Sequence, residues 1–325
     1  MSTQTRWGII GTGNIAGKLA EAATLVPDAE LLAVGSRAQA SADAFGEKHS
    51  IPRRYASYED LVGDPDVDVI YVATPHNYHD ANTLLALEAG KHVLCEKPLA
   101  VNAGEAAEMI EAARKKRLFL MEAMWTRFLP VWVEVKARLD SGEFGAIRSL
   151  QADFGIEEAY DPKSRLYDPD LAGGALLDLG VYPVSLASWL LGKPRAMSSW
   201  AELAPSGVDQ RAAMTFTYEG GRFAQMNTAS DVWSMVDATI VTEKKIIRVG
   251  RLFIDARSYE VVDFDKTEIV RKPYENGFEF EVRHTMDCIS AGRTESEVMS
   301  LDESLEIMRT MDALRAEWGV KYPFE

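Results

Sequence analysis

Lys97, set between an acid and a proline in Cys95-Glu96-Lys97-Pro98, is the side chain in this sequence best placed to act on an oxygen atom. It follows the short apolar run His92–Cys95, which reads as a strand, so its ammonium stands at a strand end where it can meet a hydroxyl. From there a lysine lowers the pKa of a neighbouring acid and stabilises negative charge developing on oxygen. The alternative is a solvated surface lysine, the usual condition of that side chain. A second polar segment, Ala73-Thr74-Pro75-His76-Asn77-Tyr78-His79, follows another apolar run and could flank a ligand at the same sheet edge.

A third segment has a more specific chemistry. Gly11-Thr12-Gly13-Asn14-Ile15-Ala16 lies between a strand and a helix, the context that makes a glycine motif of this spacing informative. Gly11 permits the tight turn, and Gly13 lets a pyrophosphate approach the backbone. Ala16 is small enough for close helix–strand packing, and the freed amides, with the helix dipole, hold phosphate. A plain glycine turn in an α/β protein is the competing explanation.

The end of the second strand bears on the choice of dinucleotide. An NAD site usually has Asp or Glu there to accept hydrogen bonds from the ribose 2′-hydroxyl. Here the residues are Gly35-Ser36-Arg37, and Asp28 and Glu30 lie at the other end of the strand. Ser36 can donate to a 2′-phosphate, and Arg37 can pair with it or stack on adenine. This predicts NADP(H), unless Arg37 is only a solvated charge.

The elements that must carry these groups alternate through the first 125 residues. Apolar strands at Trp7–Ile10, Glu30–Val34, Val67–Ala73, His92–Cys95 and Leu118–Met121 are separated by helical stretches. Two of those helices begin with the pattern of a capping residue and an acid three positions on, Ser57…Asp60 and Asn102…Glu105. Alternation of this kind implies a parallel sheet with right-handed crossovers, hence a Rossmann-type doubly wound domain over residues 1–125. Residues 126–325 read differently. A helix near Val131–Leu139, a strand near Ile147–Phe154, a polar loop Glu157–Ala172 and a helix Leu176–Leu191 precede a strand-rich stretch from Arg195 to Arg271. Two helices, Phe278–Ile289 and Leu301–Glu317, close the chain. The expectation is an α+β domain with a large open, mostly antiparallel sheet that binds substrate and mediates oligomerisation.

Composition narrows the partners. The 325 residues carry a formal charge of −15, which repels a phosphate backbone and disfavours nucleic acid. Two cysteines give no disulfide framework and suit a reducing compartment. The polar start Met1–Arg6 has no signal-peptide pattern and no apolar run approaches membrane-spanning length, so a cytoplasmic protein is expected, with no membrane partner. The five histidines show no metal-ligand spacing, and no metal is expected.

Taken together, G-x-G-x-x-A, T-P-x-x-x-H and E-K-P ahead of a sheet-rich second half resemble the glucose–fructose oxidoreductase, inositol dehydrogenase and rhizopine-catabolism family (Gfo/Idh/MocA) over essentially the whole chain. Within it, Glu122-Ala-Met-Trp125-Thr-Arg127-Phe128-Leu-Pro130 and Gly173-Gly174-Ala-Leu-Leu-Asp178-Leu-Gly180-Val-Tyr182-Pro183 look like the branch of dimeric dihydrodiol dehydrogenases and NADP-dependent D-xylose 1-dehydrogenases. The resemblance implies that Lys97 is the family's E-K-P lysine and that Asp178 and Tyr182 occupy its D-x-x-x-H positions, with tyrosine in place of histidine. Tyr182 would then be the general acid/base, its pKa lowered by Lys97 from about 10 towards the working range. Asp178 would orient a substrate hydroxyl, or else simply cap a helix. Thr74, Asn77, His79 and Glu96 become cofactor neighbours, while Trp125, Arg127 and Phe154 are candidates either for the substrate pocket or for packing at the domain junction. The implied reaction is hydride transfer between nicotinamide and a sugar, polyol or trans-dihydrodiol, in a homodimer or dimer of dimers. Redox-neutral glycoside cleavage with NAD and a non-catalytic NADP sensor are the alternatives.

Overall fold

The computed structural model describes residues 4–325. The chain divides into two compact units: one holds the chain up to Phe128 with Asn276–Met308, the other Leu129–Glu275 with Arg309–Glu325.

In the first unit β1 (Thr5–Ile10), α1 (Asn14–Ala23), β2 (Ala29–Gly35), α2 (Gln39–Lys48), β3 (Arg53–Tyr55), α3 (Tyr58–Val62), β4 (Val69–Val72), α4 (His79–Glu88), β5 (His92–Glu96), α5 (Ala103–Lys116) and β6 (Leu120–Ala123) follow in order. The six strands form one parallel sheet in the order β3-β2-β1-β4-β5-β6. This is the doubly wound order, whose reversal between β1 and β4 opens a crevice at the strands' carboxyl ends. β4 is buried at every position, as its continuous apolar, branched sequence requires. Both capping patterns form. Ser57 Oγ accepts from the Asp60 amide at 3.0 Å, and Asn102 Oδ1 from the Glu105 amide at 3.0 Å, each satisfying an otherwise orphaned helical N–H. Glu105 in turn accepts from the Val101 amide at 3.1 Å, tying the cap to the segment after β5.

In the second unit α6 (Pro130–Asp140) leads to β7 (Ile147–Gly155), a π-helical turn at Leu176–Gly180 and α7 (Val181–Leu191). Seven strands follow: β8 (Ala196–Leu203), β9 (Asp209–Thr217), β10 (Phe223–Ala229), β11 (Ala238–Thr242), β12 (Ile246–Val249), β13 (Ser258–Val262) and β14 (Thr267–Arg271). With β7 they make an eight-stranded sheet ordered β14-β13-β12-β11-β7-β10-β9-β8. Every pairing is antiparallel except β7 with β10. One face, with Leu150, Ala152, Phe154, Met214, Phe216 and Met226, is buried. The other presents Gln151, Thr215, Gln225, Asn227 and Trp200 around a shallow cavity of about 710 Å³. The open face is therefore largely polar.

α8 (Glu279–Ser290) belongs to the first unit, and α9 (Leu301–Trp318) begins in the first and ends in the second. The stretch Pro169–Leu191 is long and apolar enough by composition to cross a membrane, but most of it is buried within the structure.

The single helix expected over Leu176–Leu191 is a π turn followed by an α-helix. Pro183 explains the division of labour. Lacking an N–H, it falls just past the junction of the two, so the missing helical hydrogen bond coincides with the change in hydrogen-bond spacing.

Candidate active site

Gly11 makes the turn out of β1 with φ of 109°, its amide donating to Gly35 O at 3.1 Å. A Cβ there would stand 2.7 Å from Ala73 O, so both the conformation and the close strand approach demand glycine. Gly13 caps α1 without a side-chain hydrogen bond, the first turn of the helix carries no acid, and a Cβ at Gly13 would meet nothing within 4 Å. Open backbone amides at a helix N-terminus with room in front of them fit a dinucleotide pyrophosphate. Asn14 is exposed, Ile15 half-buried and Ala16 fully buried against the sheet.

At the end of β2, Ser36 is buried with its amide donating to Tyr55 O at 3.1 Å. Arg37 is exposed, and its guanidinium lies 6.0 Å from the centre of the Tyr78 ring. It also faces Tyr58, whose phenol is pushed up from its ordinary value chiefly by burial, with Arg37 opposing. Tyr78 and Tyr58 are aromatic neighbours that the sequence gave no reason to single out. The fork of Arg37 between them is suited to an adenine plane or a 2′-phosphate.

The loops after β4 and β5 are joined by His79. This residue is 1% exposed, and its two ring nitrogens lie 2.8 Å from Pro98 O and 2.9 Å from Thr74 O. Burial pushes it down to about 4, so the ring is neutral and carries one hydrogen for the two carbonyls. Expected to be a cofactor neighbour, His79 is a brace between two loops. Thr74 Oγ1 accepts from Asn82 Nδ2 at 3.2 Å, and Asn77 is half-buried in the short 3₁₀ turn His76–Tyr78. Glu96 is 4% exposed; it accepts from the Tyr71 hydroxyl and, at 3.1 Å, from the Lys97 amide. These bonds fix the backbone from which the half-buried Lys97 projects, and the Lys97–Pro98 peptide is cis. Cys95 is fully buried and its thiol is raised by that burial, which suits a structural part and not a nucleophilic one.

Trp125 is 6% exposed and stacks on Phe278 with centroids 4.6 Å apart. Arg127 is 2% exposed; its guanidinium donates to both carboxylate oxygens of Glu303 at 2.8 and 2.9 Å and to Val298 O at 3.1 Å. That engagement makes Arg127 an internal anchor of the first unit. His284, Cys288 and Glu297 bring ligand-type atoms within 4.8 Å of one another, yet His284 Nε2 lies 2.8 Å from Ser296 Oγ and Glu297 pairs with Arg293.

In the second unit Asp178, Tyr182 and Phe154 come together. Asp178 and Tyr182 sit on successive turns of the π–α run, 7% exposed each, and the Phe154 ring is tilted against Tyr182 at 5.5 Å between centroids. Asp178 caps no helix. Its carboxylate is held by Arg165, Nη1 to Oδ1 at 2.8 Å and Nη2 to Oδ2 at 3.0 Å. Arg165 comes from the polar loop and was invisible to sequence reasoning, since nothing in its neighbourhood marks one loop arginine from another. Beneath the π turn, Asp209 Oδ2 accepts from the Leu176 amide at 2.6 Å.

The first unit is therefore built for a dinucleotide, while the second carries a phenol and a paired carboxylate in an apolar surround. Comparison with known proteins agrees. The pattern of the oxidoreductase family with an NAD-binding Rossmann fold, GFO/IDH/MocA, matches residues 5–124, and the GFO/IDH/MocA C-terminal domain matches residues 132–248. The chain belongs to the Gfo/Idh/MocA family of NAD(P)-dependent dehydrogenases and reductases. It is 36% identical to trans-1,2-dihydrobenzene-1,2-diol dehydrogenase of Xenopus laevis over 98% of this chain and 99% of that one. The human enzyme of the same name is 34% identical, with 98% of each chain covered. Among solved structures, a 3-ketoreductase from Actinomadura kijaniata in complex with NADP and TDP-benzene superimposes with a TM-score of 0.87 at 28% identity, over 97% of this chain and 98% of that one.

Proposed function

We propose that this protein is an NADP(H)-dependent oxidoreductase that interconverts a hydroxyl and a carbonyl on a sugar, polyol or trans-dihydrodiol. The reading rests above all on the pairing of Tyr182 and Asp178 on one buried helical run, with Phe154 against the phenol. Tyr182 takes the proton from the substrate hydroxyl during oxidation and returns it during reduction. Asp178 orients a substrate hydroxyl, and the Phe154 face packs on the C–H surface of a sugar or diol. Lys97 supplies positive charge where oxygen becomes negative. Gly11, Gly13, Asn14 and Ile15 hold the pyrophosphate, Ser36 and Arg37 the 2′-phosphate, and Thr74, Asn77 and Glu96 border the ribose. A bound nicotinamide supplies the two-electron redox chemistry. The names of the dihydrodiol dehydrogenase relatives and of the NADP-bound ketoreductase support both the cofactor and the substrate class.

The test is an initial-rate assay at the reduced-nicotinamide absorbance band, with NADP and NAD in parallel against aldoses, polyols and dihydrodiols. Turnover with NADP that disappears in Tyr182→Phe and in Lys97→Ala is expected. Full activity in Tyr182→Phe, or a clear preference for NAD, would reject the corresponding assignment.

A homodimer or dimer of dimers fits the open sheet face of the second unit, where Trp200 is 57% exposed and the nearby Trp233 and Met235 are 68% and 62% exposed. Sedimentation velocity of the protein and of Trp200→Glu reads this directly. The free, buried cysteines suit a reducing cytoplasm.

A further inference from the structure

Arg165 is held before any substrate arrives. Its neighbours in the loop are pinned on both sides. Tyr167 is fully buried, its hydroxyl donating to Glu158 O at 3.0 Å, and the Leu166 carbonyl accepts from the Gly174 amide at 2.9 Å. Gly173 N donates to Asp168 O at 2.9 Å, while Gly173 O accepts from Tyr322 OH at 2.8 Å. The loop is thus anchored to the start of the π turn, and the guanidinium meets Asp178 with both forks. The pair is asymmetric: the Asp178 side chain is 10% exposed and that of Arg165 is 49% exposed. A bidentate clamp on a buried carboxylate, itself one helical turn from Tyr182, leaves the rest of the guanidinium open to solvent.

We infer that Arg165 is a positioning residue for the proposed reaction: it fixes the aim of Asp178 and presents a cation to the phenolate of Tyr182.

This rests on the reading of Tyr182 as the proton carrier. The Arg165 guanidinium is held above its ordinary value chiefly by Asp178, with Glu158 and Tyr182 adding to it. The charged groups on strands packed beneath the π–α run are turned elsewhere. Asp153 accepts from the Val236 and Asp237 amides, and Asp209 from the Leu176 amide. Arg211, on β9, pairs with Asp231. Arg165, clamped one turn from Tyr182, is thus a cation placed to favour its ionised form.

Arg165→Ala, Arg165→Lys and Tyr182→Phe, each carrying bound NADP, test the assignment. In Arg165→Ala the acid-side limb of the oxidation pH profile, where protonation of the general base cuts off activity, should move up by about one pH unit, because loss of a nearby cation raises the phenol's pKa. Its kcat should fall by about tenfold or more, with NADP affinity unchanged and partial recovery on adding guanidinium ion. Arg165→Lys, which keeps the charge but loses the fork, should keep the wild-type pH limb while raising KM. A wild-type pH profile in Arg165→Ala, or loss of rate without any recovery by guanidinium, overturns the positioning role. If Tyr182→Phe keeps full activity, it is the reading of the proton carrier that fails.

Discussion

Asp209 accepts a 2.6 Å hydrogen bond from the amide of Leu176, the first residue of the turn that carries Asp178. The carboxyl is wholly buried and Gly174 passes so close that a Cβ there would lie 2.4 Å from Oδ1. Burial pushes Asp209 up to about 7, with the backbone amides opposing. The folded protein therefore binds more protons than the unfolded chain between about pH 4, the ordinary aspartate value, and pH 7. The contribution of this group to stability is full below pH 4 and shrinks as pH rises towards 7. Asp209→Asn keeps an acceptor oxygen and never ionises. Urea unfolding of both proteins at pH 5 and pH 7.5 should show the wild type losing more stability on going to the higher pH than the variant does. Parallel pH dependence in the two would sink the idea.

Gly11 and Gly13 are separable by their surroundings. Gly11→Ala places a side chain at φ of 109° and against Ala73 O, so it should lower the melting temperature with or without cofactor. Gly13 has φ of −80°, which any residue adopts, and open space where its Cβ would go. Gly13→Val should melt like the wild type without ligand yet fail to be stabilised by NADP. For the wild type, NADP at a hundred times its Kd should add about 2.7 kcal/mol. Equal responses of the two variants to NADP would remove the distinction.

Arg37 offers a comparably direct reading of the cofactor. With no carboxylate at the end of β2 and the guanidinium above Tyr78, Arg37→Ala should weaken NADP by about tenfold or more while changing NAD little, the loss expected for one charge-assisted phosphate contact. Quenching of intrinsic fluorescence by each dinucleotide measures both constants. An equal loss for the two would place Arg37 on the adenine alone.

How much of this was legible in sequence depended on whether a signal was local. The glycine turn, both helix caps and the apolar β4 were readable because each is a property of a few adjacent residues. β3, with the sequence Arg53-Arg54-Tyr55, was not, because its three residues are held by pairing with β2 and by Arg53 and Tyr55 bonding to Asp64 at 2.7 to 2.8 Å. Arg165 was missed for the same reason: its partner is thirteen residues on, and only the fold of the intervening loop brings the two together. His79 and Arg127 stood in sequence motifs but proved to be buried structural ties. A motif marks the neighbourhood of a site without saying which way a side chain turns. The π turn was read as ordinary helix, since composition does not distinguish one hydrogen-bond spacing from another.

Arg127 and Glu303 give the last test, of the first unit's stability. The arginine is 2% exposed and the glutamate 24%, with two hydrogen bonds between them and a third from Arg127 to Val298 O. Truncating the glutamate removes the carboxylate that a buried guanidinium grips with both nitrogens, whereas replacing the arginine by an unbranched apolar side chain removes the charge altogether and keeps much of the volume. Glu303→Ala should therefore cost about 3 kcal/mol, and Arg127→Met distinctly less. Since the pair anchors the segment 125–128 to the first turn of α9, neither change should alter kcat beyond the fraction of protein unfolded. Chemical denaturation and kcat measured on the same preparations check both halves. A selective fall in kcat with stability intact in Arg127→Met would return that arginine to the substrate site.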